Sequence, residues 1–117
     1  LECSLTQSKA MLDGTTNHLM QHQIDAMAWS PLGSYFKEDN EQSQRLRPVV
    51  QKMCATYSAT EDQILLAWLH QHPAQIHPVV GTTQEARLKD AMDALAIKLT
   101  IQDWFLLLET SLGHRMP

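Results

Sequence analysis

The sequence predicts an α/β fold in which short parallel strands alternate with helices. Three stretches have strand character, residues 1–5, 24–29 and 76–80, and five other stretches have the apolar spacing of helices. Consecutive strands are separated by helical segments of about a dozen residues or more, which is typical of βαβ units and of a parallel sheet. With 117 residues, 44% of them apolar, the chain has the length and composition of one globular domain.

The first elements are assigned from short local patterns. Residues 1–5 alternate apolar and polar side chains, a period of two that fits a strand better than a helix. Residues 10–22 place apolar side chains at helical spacing, although Gly14 weakens the first turn. The apolar run at 24–29 is a second strand, and it closes on a Ser-Pro-Leu-Gly turn in which Pro31 has no amide for a sheet hydrogen bond.

The middle of the chain combines a long loop with two helices. Residues 34–44 are polar and predict a loop of unusual length, with Lys37 on its solvated surface. An apolar helical face follows over residues 46–57. Thr60 with Gln63 forms a capping-box pattern, which begins the next helix, and a later proline ends it.

The last part of the chain repeats the strand-then-helix order. Residues 76–80 are predicted to be the third strand and residues 85–95 a helix. The final helix begins at a Thr100 cap and ends at Gly113. We expect the large apolar residues of the 85–95 helix to face inward, namely Leu88, Met92 and Leu95.

Three parallel strands do not make a complete domain. They leave two unpaired sheet edges and too little apolar cover, because parallel sheets are normally buried on both faces. The sequence also opens with Leu1, in the middle of an apolar pattern, where a native chain begins with Met. We therefore expect residues 1–117 to be one fragment of a single larger domain.

Charge and composition exclude several classes of partner and site. The formal charge is −4 with both signs interspersed, so we expect no binding to nucleic acid or to an anionic membrane. No stretch approaches the roughly 18 apolar residues of a spanning helix, and the start at Leu1 has no signal-peptide pattern, so we expect a cytoplasmic location. Cys3 and Cys54 make a poor disulfide framework and are predicted to be reduced. His18 and His22 have a spacing that suits a metal, but no third ligand accompanies them, so we predict no metal site.

The stretch PVVGTTQEARL, residues 78–88, has the features of a phosphate-binding site. A loop that leaves a strand and enters a helix presents free backbone amides and the positive end of the helix dipole. Gly81 keeps the backbone open, Thr82 and Thr83 add hydroxyl donors, and Arg87 reaches back with a guanidinium suited to phosphate. The same residues also fit an ordinary helix N-cap.

Three stretches in order resemble the last third of a bacterial aldo-keto reductase: AMAWSPLG, VVGTTQEARL, and a terminal pattern from Leu99 to Pro117 that includes SLGH. The resemblance covers essentially the whole chain, from a strand similar to the sixth of a (β/α)8 TIM barrel to the closing helix. It implies an oxidoreductase that transfers a hydride between NADPH and a carbonyl or alcohol. Active sites of such barrels lie at the carboxyl ends of the strands, and phosphate sites often follow strands seven and eight.

The resemblance also assigns residues to the cofactor. It places Trp29 against the nicotinamide ring and Arg87 at the adenosine 2′-phosphate, with Asp90 near the adenine. The loop that wraps the pyrophosphate and the start of the eighth loop complete the predicted set, namely Ser30, Leu32, Gly33, Gly81 and Thr82.

Two features separate this sequence from many relatives of that family. Many relatives carry Lys where this chain has Gly81, and Asn where it has Ala91. The family's catalytic Asp, Tyr, Lys and His belong to earlier strands, so no catalytic residue is predicted here and neither Tyr35 nor Tyr57 is given that role. We expect the 117-residue chain alone to be inactive.

Some alternatives stay open at the level of sequence. Tyr35 and the adjacent Phe36 fit either a cover over the ligand or an anchor for the loop. Trp68 and Trp104 lie on apolar helical faces and are expected in the core. A competing hypothesis for the whole chain is a small, mostly helical interaction module without a dinucleotide site. The substrate and the oligomeric state are not predicted.

Overall fold

The structure is a computed structural model, and it describes residues 1–79 and 85–116. Two short strands are β1, Met27–Ala28, and β2, His77–Pro78. The helices are α1 Lys9–Leu12, α2 Thr15–Gln21, α3 Glu41–Tyr57, α4 Glu61–His70, α5 Glu85–Ala94 and α6 Ile101–Leu112. Within the described ranges, no helix has the length and hydropathy needed to cross a membrane.

The strands form a parallel sheet, as the sequence predicts. β1 pairs with β2 in parallel, with Met27 opposite His77 and Ala28 opposite Pro78. The first predicted strand contributes a parallel bridge between Glu2 and Trp29. The three segments therefore lie side by side in chain order, and their carboxyl ends meet at one edge. They are shorter than predicted, and the end of the third, at residue 80, lies outside the described residues.

The sheet is covered on one face only within this chain. Alternate residues Cys3, Ala26, Ala28 and Ile76 are buried against the helices. The residues between them point to the other face and are exposed, among them Met27, Trp29 and His77. Successive residues of a strand point to opposite sides of the sheet, so the short strands have one packed and one open face.

A pair of tryptophans joins α4 to α6 in the core. Trp68 is fully buried, and its ring stacks on that of Trp104 with centroids 4.9 Å apart and an interplanar angle of 11°. The indole nitrogen of Trp68 donates to the carbonyl oxygen of Trp104 at 3.0 Å, and the reverse bond measures 2.8 Å. Both rings thus bury apolar area while their N–H groups stay satisfied, so the prediction of a core role is confirmed.

The loop before α3 is shorter than predicted. α3 begins at Glu41, because the Asn40 side chain accepts from the Ser43 amide at 2.9 Å and the Ser43 hydroxyl accepts from the Asn40 amide at 2.9 Å. The prediction of a loop over residues 34–44 is wrong at its carboxyl end, since it overlooks this capping box. The predicted starts at Thr60 and Thr100 are confirmed.

Two other helix predictions need correction. The helix predicted over residues 10–22 is split into α1 and α2 by Gly14, whose φ of 92° belongs to the left-handed region. The inward face assigned to α5 is also wrong: its buried residues are Ala91 and Ala94, which pack with Leu66 of α4. Small side chains allow the two helices to approach closely, and this leaves the larger ones outside: Leu88, Met92 and Leu95 are 39%, 71% and 42% exposed.

Candidate functional site

A cleft of about 680 Å³ lies between the loop that follows β1 and the helix α5. It brings together residues from two distant parts of the sequence: five of the predicted cofactor residues line it, namely Ser30, Leu32, Gly33, Arg87 and Asp90. It opens at the sheet edge where the strands end, since Val79, directly after β2, also lines it. The amide of Val79 donates to the Ala28 carbonyl at 2.8 Å, which fixes the two strand ends side by side.

The loop after β1 turns sharply at the mouth of the cleft. The Gly33 amide donates to the Ser30 carbonyl at 2.9 Å, and both residues have positive φ, 52° at Ser30 and 56° at Gly33. A β-carbon on Gly33 would overlap the hydroxyl oxygens of Ser4 and Thr6. Glycine is therefore required here by conformation and by space, and a serine in the left-handed region marks a backbone that its surroundings hold in place.

Tyr35 and Phe36 take different roles in this loop. Tyr35 is buried, and its hydroxyl donates to Glu61 Oε1 at 2.6 Å. Burial raises the pKa of the Tyr35 phenol well above its ordinary value, and the bond to Glu61 adds to the rise. Phe36 meets the Tyr35 ring edge to face at 4.9 Å and lines the cleft. Of the two alternatives left by the sequence, Tyr35 anchors the loop to α4 and Phe36 forms part of the wall.

The cleft carries two cations and two carboxylates. Lys37 and Arg87 supply the positive charges, and Asp62 and Asp90 the negative ones. Arg87 is exposed, and no carboxylate of the described residues lies within 4.0 Å of its guanidinium. The ion pair found in the described part of the chain joins Arg47 to Asp39 at 3.8 Å and does not involve Arg87. An arginine that is not neutralised by a neighbouring acid is suited to an anionic ligand.

The sequence matches a known protein family over most of its length. The family profile described as "Aldo/keto reductase family" matches residues 3–110. This chain belongs to the aldo/keto reductase family. The fold expected by the competing hypothesis, a small and mostly helical interaction module, is wrong, because the chain belongs to this family and its strands β1 and β2 pair in parallel.

Curated relatives of this chain are named as oxidoreductases or reductases. It is 35% identical over its full length to the uncharacterized oxidoreductase YcsN of Bacillus subtilis and 30% identical to the oxidoreductase YdhF of Escherichia coli, covering 40% of each. A 6-dehydroglucose reductase of Agrobacterium fabrum is 30% identical over 99% of the chain. The chain spans about 40% of the length of the curated relatives that it matches.

Solved structures show the same fold. A thermostable aldo-keto reductase crystallised with the inhibitor epalrestat superposes with a TM-score of 0.78 at 20% identity, covering 93% of this chain and 38% of that one. The aldose reductase of Schistosoma japonicum superposes with a TM-score of 0.67 at 16% identity, covering 97% of this chain and 36% of that one. The fold is thus part of an α/β barrel, as the resemblance implies.

Three predicted cofactor residues lie outside the cleft or outside the described residues. Trp29 follows β1 on the open face of the sheet, where it is 54% exposed, and it does not line the cleft. Gly81 and Thr82 fall between residues 79 and 85, outside the part of the chain that the structure describes.

The structure adds two residues that the sequence does not assign to a ligand. Lys37, interpreted as a solvated loop residue, lines the cleft, as does Asp62. Ala91, where many relatives carry Asn, is buried at the same wall and offers no polar group. The available signal for Lys37 was its place in a loop that already carried three predicted cofactor residues.

Tyr57, His18 and His22 do not line the cleft. The Tyr57 hydroxyl donates to Asp103 Oδ2 at 2.5 Å and accepts from the Thr100 amide at 3.0 Å, so it joins α3 to the start of α6. The rings of His18 and His22 lie 4.4 Å apart. Residues 1–79 and 85–116 contain no group of three His, Cys, Asp or Glu side chains arranged to hold a metal.

Proposed function

We propose that this chain forms the nucleotide-binding part of an oxidoreductase that transfers a hydride between NADPH and a carbonyl or alcohol substrate. The observation that carries the proposal is the cleft itself, which joins the turn at Ser30 and Gly33 to Arg87 and Asp90 at the carboxyl ends of two parallel strands. Ligands of α/β barrels bind at that end of the strands. The family membership and the names of the relatives support the same class of reaction.

The residues of the cleft fit an elongated dinucleotide with an extra phosphate. Arg87 binds the adenosine 2′-phosphate, and Lys37 on the opposite wall adds a second positive charge. Asp90 and the small Ala91 border the adenine. The turn at Gly33 lets the backbone approach the pyrophosphate, together with Gly81 and Thr82.

Trp29 is assigned to the nicotinamide end. It stands on the open face of the sheet, beside the cleft, where an aromatic ring can stack on a flat heterocycle. The cofactor supplies the hydride when bound. This chain orients it, because the two anchored ends leave the dinucleotide little freedom to shift along the strand edge.

The proton-donating groups come from segments outside this chain. Tyr35 donates to Glu61 and is buried, and Tyr57 donates to Asp103 between α3 and α6. Neither phenol is positioned to protonate a carbonyl oxygen in the cleft. We propose that the catalytic tetrad lies in other strands of the barrel and that the 117-residue chain alone does not turn over substrate.

The test is to measure, by isothermal titration calorimetry, how Arg87→Ala in the complete enzyme changes its affinity for NADPH and for NADH. A hydrogen bond to a charged group contributes about 1.5–3 kcal/mol, so NADPH binding should weaken by about 10- to 150-fold while NADH binding changes little. Lys89→Ala is the matched control, since it removes a positive charge from the same helix outside the cleft. Equal losses for both nucleotides would remove the role assigned to Arg87.

A further inference from the structure

A partly buried hydrogen-bond network lies behind the loop at residues 30–40, which we call the nucleotide loop, and the proposed chemistry does not account for this network. Its centre is the turn at residues 4–7, which follows the first strand segment at the same sheet edge as the cleft. The turn is closed by the Ser4 amide donating to Gln7 O at 3.0 Å and the Gln7 amide donating to Ser4 Oγ at 3.0 Å. Ser4 is fully buried, and its hydroxyl has hydrogen-bond partners, as buried polar groups normally do.

The Thr6 hydroxyl connects this turn to the nucleotide loop. Its oxygen accepts from the Ser34 amide at 3.0 Å and lies 3.2 Å from Ser4 Oγ, with which it shares a second hydrogen bond. Gly33, one residue earlier, lies so close to both hydroxyls that no β-carbon fits there. The two hydroxyls therefore hold the part of the loop that lines the cleft.

Residues of α3 and α6 donate hydrogen bonds to the backbone carbonyls of this turn. Gln42 Nε2, in the first turn of α3, donates to the Thr6 carbonyl at 3.1 Å and to Ser111 Oγ at 3.0 Å. Ser111, near the end of α6, donates to the Leu5 carbonyl. Arg45 donates to Ser111 O at 2.9 Å and so satisfies a terminal carbonyl of α6. The turn is thus fixed by contacts far away in the sequence.

We propose that Thr6 is a positioning residue for the nucleotide, and this inference rests on the proposed function. Its hydroxyl holds Gly33 and Ser34 in the conformation that lines the cleft. Ser30, at the start of the same turn, has a φ of 52°, which is unfavourable for a residue with a side chain. Without the hydroxyl, the loop populates other conformations, and the nucleotide binds only to the fraction that keeps the present one. Apparent affinity then falls in proportion to that fraction. Thr6 touches the loop and not the ligand, so the chemical step is unaffected.

The test compares Thr6→Val, which keeps the shape and removes the hydroxyl, with Thr6→Ser, which restores it. In the complete enzyme, we expect Thr6→Val to raise the Kd and the KM for NADPH about 3- to 10-fold with kcat unchanged, and Thr6→Ser to return both to the starting values. Thr16→Val is the matched control. Thr16 is also fully buried, and its hydroxyl has no hydrogen-bond partner among the described residues, so its removal should leave NADPH binding unchanged.

The outcomes distinguish this inference from the proposed function. If the unmodified protein binds no NADPH, the proposed function fails. If it binds NADPH and Thr6→Val binds equally well, or if kcat falls while the KM is constant, the role of Thr6 is overturned. Should Thr6→Val fail to fold, Gln42→Met tests the same network from α3, and it should raise the Kd for NADPH about 2- to 5-fold; an unchanged Kd in that variant refutes the inference.

Discussion

Gly33→Ala is the change for which the structure predicts the largest cost at the nucleotide loop. At a φ of 56°, an L side chain costs about 1–2 kcal/mol relative to glycine. The new β-carbon also overlaps the hydroxyls of Ser4 and Thr6. These hydroxyls are hydrogen-bonded to each other and within their turn, so moving them apart breaks hydrogen bonds. Overpacking of this kind adds about 1–3 kcal/mol. The free energy of unfolding should therefore fall by about 2–5 kcal/mol.

Gly14→Ala separates these two contributions. Gly14 has a φ of 92°, but a β-carbon there meets nothing within 4 Å, so the variant carries only the conformational cost of about 1–2 kcal/mol. Both variants are compared by denaturant unfolding of the protein, followed by titration with NADPH. Gly33→Ala should be less stable than Gly14→Ala by about 1–3 kcal/mol and should alone weaken NADPH binding. Equal losses of stability would show that the loop does not press against the turn at Ser4.

Two further predictions concern stability away from the loop. Thr16→Val should raise the free energy of unfolding by about 1 kcal/mol in denaturant unfolding, because it removes a buried hydroxyl that has no partner among the described residues; a loss would reveal a bond to that oxygen. Burial lowers the pKa of His72, whose Nδ1 accepts from the Ala74 amide at 3.0 Å, so the unfolded chain binds this proton more readily. Stability should then decline as the pH falls from about 6.5 through the lowered pKa, and less so in His72→Asn; identical pH profiles would contradict this.

The helix ends were predictable because a cap depends on residues only three positions apart. The pairs Thr60 with Gln63 and Thr100 with Asp103 begin α4 and α6 as expected. α3, which begins at Glu41 after its cap Asn40, follows the same rule, but the sequence-based prediction missed it because Asn with Ser is a less familiar capping pair than Thr with Gln. The alternation over residues 1–5 was likewise a local signal for a strand, but it does not predict that Ser4 is buried together with Cys3 and Leu5.

The wall of the cleft was less predictable because it depends on contacts between distant segments. Lys37 lines the cleft in a loop that Tyr35 ties to Glu61, 26 residues away. The exposed Met92 and the buried Ala91 of α5 show the same limit: hydrophobicity favours the larger residue inside, whereas the close approach of α4 admits only the smaller one. The sequence therefore indicates the candidate binding loops more reliably than the side chains that complete their site.

The central claim is that the cleft between the loop after β1 and α5 binds the phosphorylated end of NADPH. The most direct measurement is a crystal structure of the protein grown with NADP⁺. We predict the adenosine 2′-phosphate in this cleft, with an oxygen about 3 Å from the Arg87 guanidinium, and the pyrophosphate against the turn at Gly33. A nucleotide bound elsewhere on the protein, or one in this cleft whose 2′-phosphate points to solvent away from Arg87, would contradict the claim.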